Sequence, residues 1–217
     1  MNAAVSPPSP RFITFEGGEG GGKSTQIQHL AEQLRARGKS VCITREPGGT
    51  PDAEAIRTLL TSGEANRWDP VAETLLHLAA RRQHIAHAIR PALARGEWVL
   101  CDRFYDSTRA YQGGGQAVSR ATIDALHEPV LEGLHPAITL MLDLSPEVGL
   151  QRAVARGDAG RYENWPLERH AAIRVAFLAI AKDEPERCAV IDATQTLGVV
   201  SEAIWQVVLA RFTELAP

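Results

Sequence analysis

Residues 11–25 read RFITFEGGEGGGKST: a short apolar run, a glycine-rich loop, then Lys23, Ser24 and Thr25. The stretch matches G-x-x-x-x-G-K-[ST] at Gly17, Gly22, Lys23 and Ser24, the spacing of a phosphate-cradling P-loop. By average residue usage such a match arises by chance in roughly one chain in a hundred of this length. Glycines free to take positive φ let several backbone N–H groups face one anion. Lys23 then reaches the outer phosphates, the Ser24 hydroxyl suits Mg²⁺, and the helix that starts near Ser24 adds the positive end of its dipole. The ATP-binding set expected here is Gly17, Gly18, Glu19, Gly20, Gly21, Gly22, Lys23, Ser24 and Thr25.

Outward from this loop, the 217 residues suffice for one substantial domain, and the net charge of -3 argues against a broad nucleic-acid or membrane footprint. No apolar stretch approaches the ~20 residues needed to span a bilayer, and MNAAVSPPSP lacks the basic and apolar parts of a signal peptide. A cytoplasmic location follows as the expectation. Cys42, Cys101 and Cys188 each sit in an apolar run without metal-ligand spacing, so they read as reduced core residues.

Residues 1–10, rich in Pro, Ser and Ala, read as a disordered tail, leaving 11–217 as a single domain. The first strand is expected over 11–16, and residues 25–37 put Ile27, Leu30, Ala31 and Leu34 on one helical face before Gly38. Strand 40–44 leads into the loop REPGGT at 45–50. A short helix over 52–62 and a long one over 70–95, bent at Pro91, precede strand 97–102. A polar turn DRFYDSTRAYQ and a flexible GGG at 113–115 follow, then a helix over 119–132 and strand 137–144. Ser145-Pro146 opens another helix, 188–192 is the last strand, and a closing helix runs over 197–215. Strands alternating with helices predict an α/β fold, a five-stranded parallel sheet covered on both faces. Ligands in such sheets sit at the carboxyl ends of the strands, which gathers the Gly-rich and charged loops on one rim.

Taken in order, FEGGEGGGKST, TREPGGT, LAARRQH, DRFYDSTRAYQGGG, LDLSPEVGLQRAVARG and IDAT resemble the bacterial thymidylate kinase family, from about Arg11 to the C-terminus. A P-loop alone names only a superfamily; DR followed by ST, AYQ and GGG after the third strand, with REPGGT after the second, is specific. The resemblance implies a P-loop kinase fold with a small Arg-bearing lid over about 152–164. It implies transfer of the γ-phosphoryl of Mg·ATP to dTMP, in a homodimer, while the charge balance leads to the expectation of neither nucleic acid nor membrane as partner.

Both reactants are anions, so the chemistry is mostly positioning and electrostatics. The resemblance puts Arg103 on the dTMP phosphate, with Arg45 and Arg57 lining the same pocket, and Glu46 of REPGGT beside them. It places Glu19 toward the sugar 3′-hydroxyl, which explains a carboxylate inside a phosphate loop. Two acids end apolar strands, Asp102 and Asp143; the resemblance favours Asp102, with Ser24, as the metal pair. It gives the lid arginines, from Arg152, Arg156 and Arg161, the work of an arginine finger, with Arg156 and Arg161 joining Lys23, Asp102 and Arg103 as catalytic. In the base site Arg81 bonds thymine, Ser107, Thr108 and Gln112 supply polar contacts, and Tyr111 crowds a ribose 2′-hydroxyl. One position departs: His77 stands where the family usually has a stacking Phe, a smaller planar ring that titrates near neutral pH.

Other readings are weaker. A kinase for dUMP or dCMP differs only in base contacts, and a switch GTPase needs N-K-x-D, to which Asn66-Arg67-Trp68-Asp69 is the nearest string. A nucleic-acid-binding ATPase needs a basic stripe.

Overall fold

Alternation along the first strand sets the layering. In β1 (Ser9–Glu16) Ile13 and Phe15 pack into one core and Phe12 into another, on opposite faces of the sheet. The computed structural model describes residues 9–157 and 160–215. The strand begins at Ser9, whose N–H donates to the His135 carbonyl at 2.9 Å, so pairing extends into what reads as tail. The rest of that tail, residues 1–8, and lid positions 158–159 lie outside the described residues.

The other strands are β2 (Val41–Arg45), β3 (Trp98–Asp102), β4 (Pro136–Asp143) and β5 (Cys188–Asp192). They form a parallel sheet in the order β2-β3-β1-β4-β5. On one face α1 (Lys23–Ala36) and α9 (Leu197–Arg211) bury Ile27, Leu30, Leu34, Val200 and Ile204 against Ile13, Phe15, Leu100 and Leu140. Between β2 and β3 run α2 (Pro51–Thr61), α3 (Pro70–His84) and α4 (Arg90–Ala94). Thr50 and Asp69 cap the first two with their side chains.

Near the bend expected at Pro91, a π-helical turn over Ile85–Ile89 joins α3 to α4. Proline has no N–H to give to the residue four back and its ring crowds that carbonyl, and the widened turn lies immediately before it.

After β3 the expected polar turn is helical: α5 (Tyr105–Thr108) continues into a π-helical segment, Arg109–Gly115. The three glycines close that segment instead of forming a flexible loop. A Cβ on Gly114 would lie 2.6 Å from that of Ala176, and one on Gly115 3.0 Å from Ile173 Cγ1, so glycine here permits close approach of two helices. Their neighbour is α8 (Leu167–Asp183), a helix the sequence reading leaves unassigned. Completing the chain are α6 (Arg120–Leu131) after the glycines and α7 (Pro146–Ala155) after β4, with the Ser145 hydroxyl accepting from Val148 N. Cys101 and Cys188 are buried and Cys42 is half-buried; all three thiols are free.

Register brings the rim together. Phe15 of β1 and Arg45 of β2 both stand level with Asp102, and the ladder continues past the strand end, Arg103 N donating to Phe15 O at 2.8 Å. The loops after β1, β2 and β3 therefore leave the sheet at one height.

Candidate active site

Two cavities, of about 380 and 400 Å³, open side by side on this rim. The first is lined by Gly20, Gly21, Gly22, Lys23, Ser24 and Thr25, the second by His77, Arg81, Tyr111 and Gln112; Glu19, Glu46, Arg57 and Arg103 line both. The glycine loop turns through positive φ at Gly17, Gly20 and Gly22. At Gly20 no other residue fits, since a Cβ would fall 2.0 Å from the Gly149 carbonyl oxygen. Lys23 folds back over its own loop, donating to Gly18 O at 2.8 Å and Gly17 O at 3.2 Å. Burial, then the Arg103 charge, lower its pKa to about 8. Gly17 and Gly18 line neither main cavity; their carbonyls hold the lysine in place.

Arg103 joins the two halves. Its φ of 68° is left-handed, rare for a side chain of this size and a form of backbone strain that clusters at functional sites. Its guanidinium donates to Gly17 O at 2.9 Å, to Ser107 Oγ at 3.3 Å and to Glu19 Oε1 at 2.9 Å, and lies over the Tyr111 ring. Glu19 also accepts the Tyr111 hydroxyl at 2.5 Å. Burial alone would raise the Glu19 pKa, but Arg103, Lys23 and this hydrogen bond hold it down at about 2.

Behind Arg103 lies a group the sequence reading did not single out. Glu16, fully buried at the end of β1, accepts Phe104 N at 2.7 Å and both the N–H and the hydroxyl of Ser107, the latter at 2.6 Å. It thereby shapes the turn that carries Arg103. Burial, with the nearby Asp106 charge, pushes its pKa well above the usual carboxylate range.

At the far end of the second cavity Arg81 is 2 % exposed and held by protein. It donates to Glu46 Oε2 (2.7 Å), Thr108 Oγ1 (3.0 Å), His127 Nε2 (2.9 Å) and Phe104 O (3.0 Å). Those contacts occupy four of its five N–H groups, so it ties the cavity wall together more than it projects into the cavity. Glu46 serves as its anchor, accepting also from His84 Nδ1 at 2.9 Å. His77 lines the cavity and meets the Tyr162 hydroxyl at 2.8 Å. Its expected titration near neutral pH is not borne out. Burial first, then the charges of Arg81, Arg161, Arg103 and Arg57, push its pKa down to about 3, leaving a neutral planar ring.

The arginines after α7 divide. Arg156 lines the glycine-loop cavity. Arg152 instead donates to Ala193 O at 3.2 Å, and Arg161 is buried away from the glycine loop. It forms an ion pair with Glu73 and donates to Glu64 O and Leu60 O, fastening its loop to α2 and α3. Arg161 thus lines the second cavity, where these contacts give it an anchoring place, and not the glycine-loop cavity that Arg156 lines. Arg45, expected at the acceptor pocket, lines the glycine-loop cavity and pairs with Glu54 at 2.9 Å; Arg57 donates to Pro47 O at 2.8 Å.

For a metal, Ser24 Oγ donates to Asp102 Oδ2 at 2.8 Å, while Asp102 Oδ1 is buried with no hydrogen-bond partner. A hydroxyl and an unsatisfied carboxylate beside a phosphate cradle are hard oxygen donors and fit Mg²⁺. Asp143 is taken by Arg174, at 2.7 and 2.9 Å, and lines neither main cavity.

The family model for thymidylate kinase matches residues 15–204. A thymidylate kinase of Caulobacter vibrioides is 59% identical over 200 residues, 92% of this chain and 96% of that one. One of Magnetococcus marinus is 50% identical over 203 residues, 93% and 97% of the two chains. The crystal structure of a thymidylate kinase from Ehrlichia chaffeensis superposes with a TM-score of 0.75 at 36% identity, covering 91% of this chain and 97% of its own.

Proposed function

Because this chain belongs to the thymidylate kinase family and transfers a phosphoryl group from ATP to dTMP, giving ADP and dTDP, we propose a role for each part of its paired cavities. The glycine-loop cavity holds the ATP phosphates and the larger one holds dTMP. The observation that carries this reading is the wall shared by the two, lined on both sides by Glu19, Glu46, Arg57, Arg103 and Glu163, of which Arg57 and Arg103 are the cations. A phosphoryl group passing between two anions must cross such a wall, and cations there offset the charge that spreads over its oxygens.

Arg103, oriented through Ser107 and Glu16, binds the acceptor phosphate. Lys23 leaves the carbonyls of its own loop for the ATP phosphates, and Arg156 stabilises the group in transit. Glu19, held ionised, accepts from the sugar 3′-hydroxyl. His77 offers its ring face to the base, while Ser107, Thr108, Gln112 and the pre-set Arg81 line the polar edge and Tyr111 packs against the sugar. Mg²⁺ would be held by Ser24 and Asp102 together with ATP, and when bound it neutralises phosphate charge.

Residues 11–217 act as one catalytic domain. A homodimer is proposed through the exposed Val71 and Leu75, one turn apart on α3, and light scattering that returns a monomer mass would remove it. The three free thiols accord with a cytoplasmic location, to be checked by cell fractionation. The decisive experiment is a coupled ADP-release assay with dTMP, dUMP and dCMP, run on the wild type beside His77→Phe. Turnover should be highest with dTMP, and His77→Phe should lower its KM by enlarging the stacking face; failure with dTMP alone overturns the substrate assignment.

A further inference from the structure

We propose that Glu73 is a positioning residue that makes base selection depend on docking of the loop after α7, an inference resting on the larger cavity being the dTMP site. Glu73 is 0 % exposed, and a carboxylate so buried is tolerated only when paired. Its partners come from two separate parts of the chain. Arg161, in the loop after α7, forms an ion pair with it, and the neighbouring Tyr162 hydroxyl lies 3.3 Å away. From the π-helical segment, Gln112 donates its amide Nε2 at 2.9 Å.

This last contact fixes an ambiguity that a free glutamine retains. An amide can present either its NH₂ or its carbonyl to a ligand, and a carboxylate, which only accepts, dictates which. With Nε2 committed to Glu73, Oε1 is the acceptor left on a side chain that lines the cavity, and among the described residues no group donates to it. An acceptor at the base edge selects a ring with an N–H there, as in the imide of thymine, over cytosine, whose corresponding nitrogen is itself an acceptor. The same carboxylate holds Arg161 and Tyr162, and Tyr162 holds the His77 ring at 2.8 Å. Trp165 Nε1 donates to Ala65 O at 3.2 Å and pins the loop further along. Loop docking, ring orientation and amide orientation thus share one buried charge. Its chemistry gives the spacing Glu73, His77, Arg81 a purpose: three polar groups at four-residue intervals line one face of α3.

The test uses full-length enzyme and two variants, Glu73→Gln and the pair Glu73→Gln with Arg161→Met, the second removing both charges so that no unpaired cation is left to unfold the protein. KM for dTMP, kcat, KM for ATP and the competitive Ki of dCMP are measured for each. Freed to rotate, Gln112 should lose its preference: the ratio of dCMP Ki to dTMP KM should fall about tenfold in both variants, as for one lost buried hydrogen bond. A smaller change in kcat and a KM for ATP within about twofold of the parent would exclude a general loosening of the site. In a Gln112→Ala background Glu73→Gln should no longer move the ratio. A parental ratio in the folded double variant overturns the proposal. A wild type that turns over dCMP and not dTMP overturns instead the assignment of the cavity.

Discussion

Substituting Gly114 by alanine adds one methyl group at a point where the structure has no room for it. The new Cβ would stand 2.6 Å from Ala176 Cβ and 3.2 Å from Ala172 O, against the 3.4–4 Å of ordinary contact, so the π-helical segment and α8 must part by about 1 Å. Overpacking of this kind costs about 1–3 kcal/mol, and the smaller freedom of the unfolded alanine chain returns about 0.4–1 kcal/mol, a net loss of about 0.5–2 kcal/mol. The functional loss should be larger. Tyr111 and Gln112 sit on the same segment, three and two residues before Gly114, and Tyr111 holds Glu19 at 2.5 Å; a misplacement near 1 Å at such groups lowers turnover by up to about a hundredfold. Urea unfolding and steady-state kinetics with ATP and dTMP separate the two effects. Adding Ala176→Gly to the variant clears the nearest contact; it sacrifices about 1 kcal/mol of helix stability but should restore kcat/KM. If Gly114→Ala keeps parental kcat/KM and stability, the π-helical segment and α8 are not closely packed at this point.

Other expectations follow from the charges. Lys23, with a pKa near 8 in the free enzyme, must be protonated to hold phosphate, so ATP binding above pH 8 should take up a proton and weaken by up to about tenfold per pH unit; calorimetry in buffers of different ionisation enthalpy that finds no uptake would refute it. Arg156→Ala should lower kcat with little change in KM for dTMP, whereas Arg161→Ala should cost about 3–5 kcal/mol of stability by stranding Glu73, and the opposite pattern would exchange their roles. Asp102→Asn should raise the Mg²⁺ concentration needed for half-maximal rate, and an unchanged Mg²⁺ titration would exclude it from the metal site. Glu16 retains its proton in the fold to higher pH than in the unfolded chain, so the fold binds the extra proton and its stability falls as pH rises from about 4.5 through that raised pKa. Glu16→Gln should flatten this decline, and parallel stability–pH curves for the two proteins would count against a protonated Glu16.

Sequence alone was sufficient for the parallel sheet, the glycine loop and the DR pair, because each is written in local spacing. Short apolar runs between turn residues make strands, G-x-x-x-x-G-K-S makes a phosphate nest, and an arginine directly after a buried strand needs a partner. What the local pattern left undecided turned on groups distant along the chain. Asp102 and Asp143 both end strands, and only the arrival of Ser24 at one and Arg174 at the other separates them. Arg156 and Arg161 lie five residues apart in a basic stretch, yet one lines the glycine-loop cavity and the other is buried against Glu73. The GGG at 113–115 has the composition of a flexible loop, and it is α8, some sixty residues later, that turns those glycines into a packing surface. The signal for Glu73 was present, since acid, histidine and arginine at 73, 77 and 81 share a helical face, but whether such a face meets water or a cavity is settled by what packs on it. Composition and periodicity report which groups a segment can offer; the fate of a charge depends on its burial and its partner, and both are properties of the folded chain.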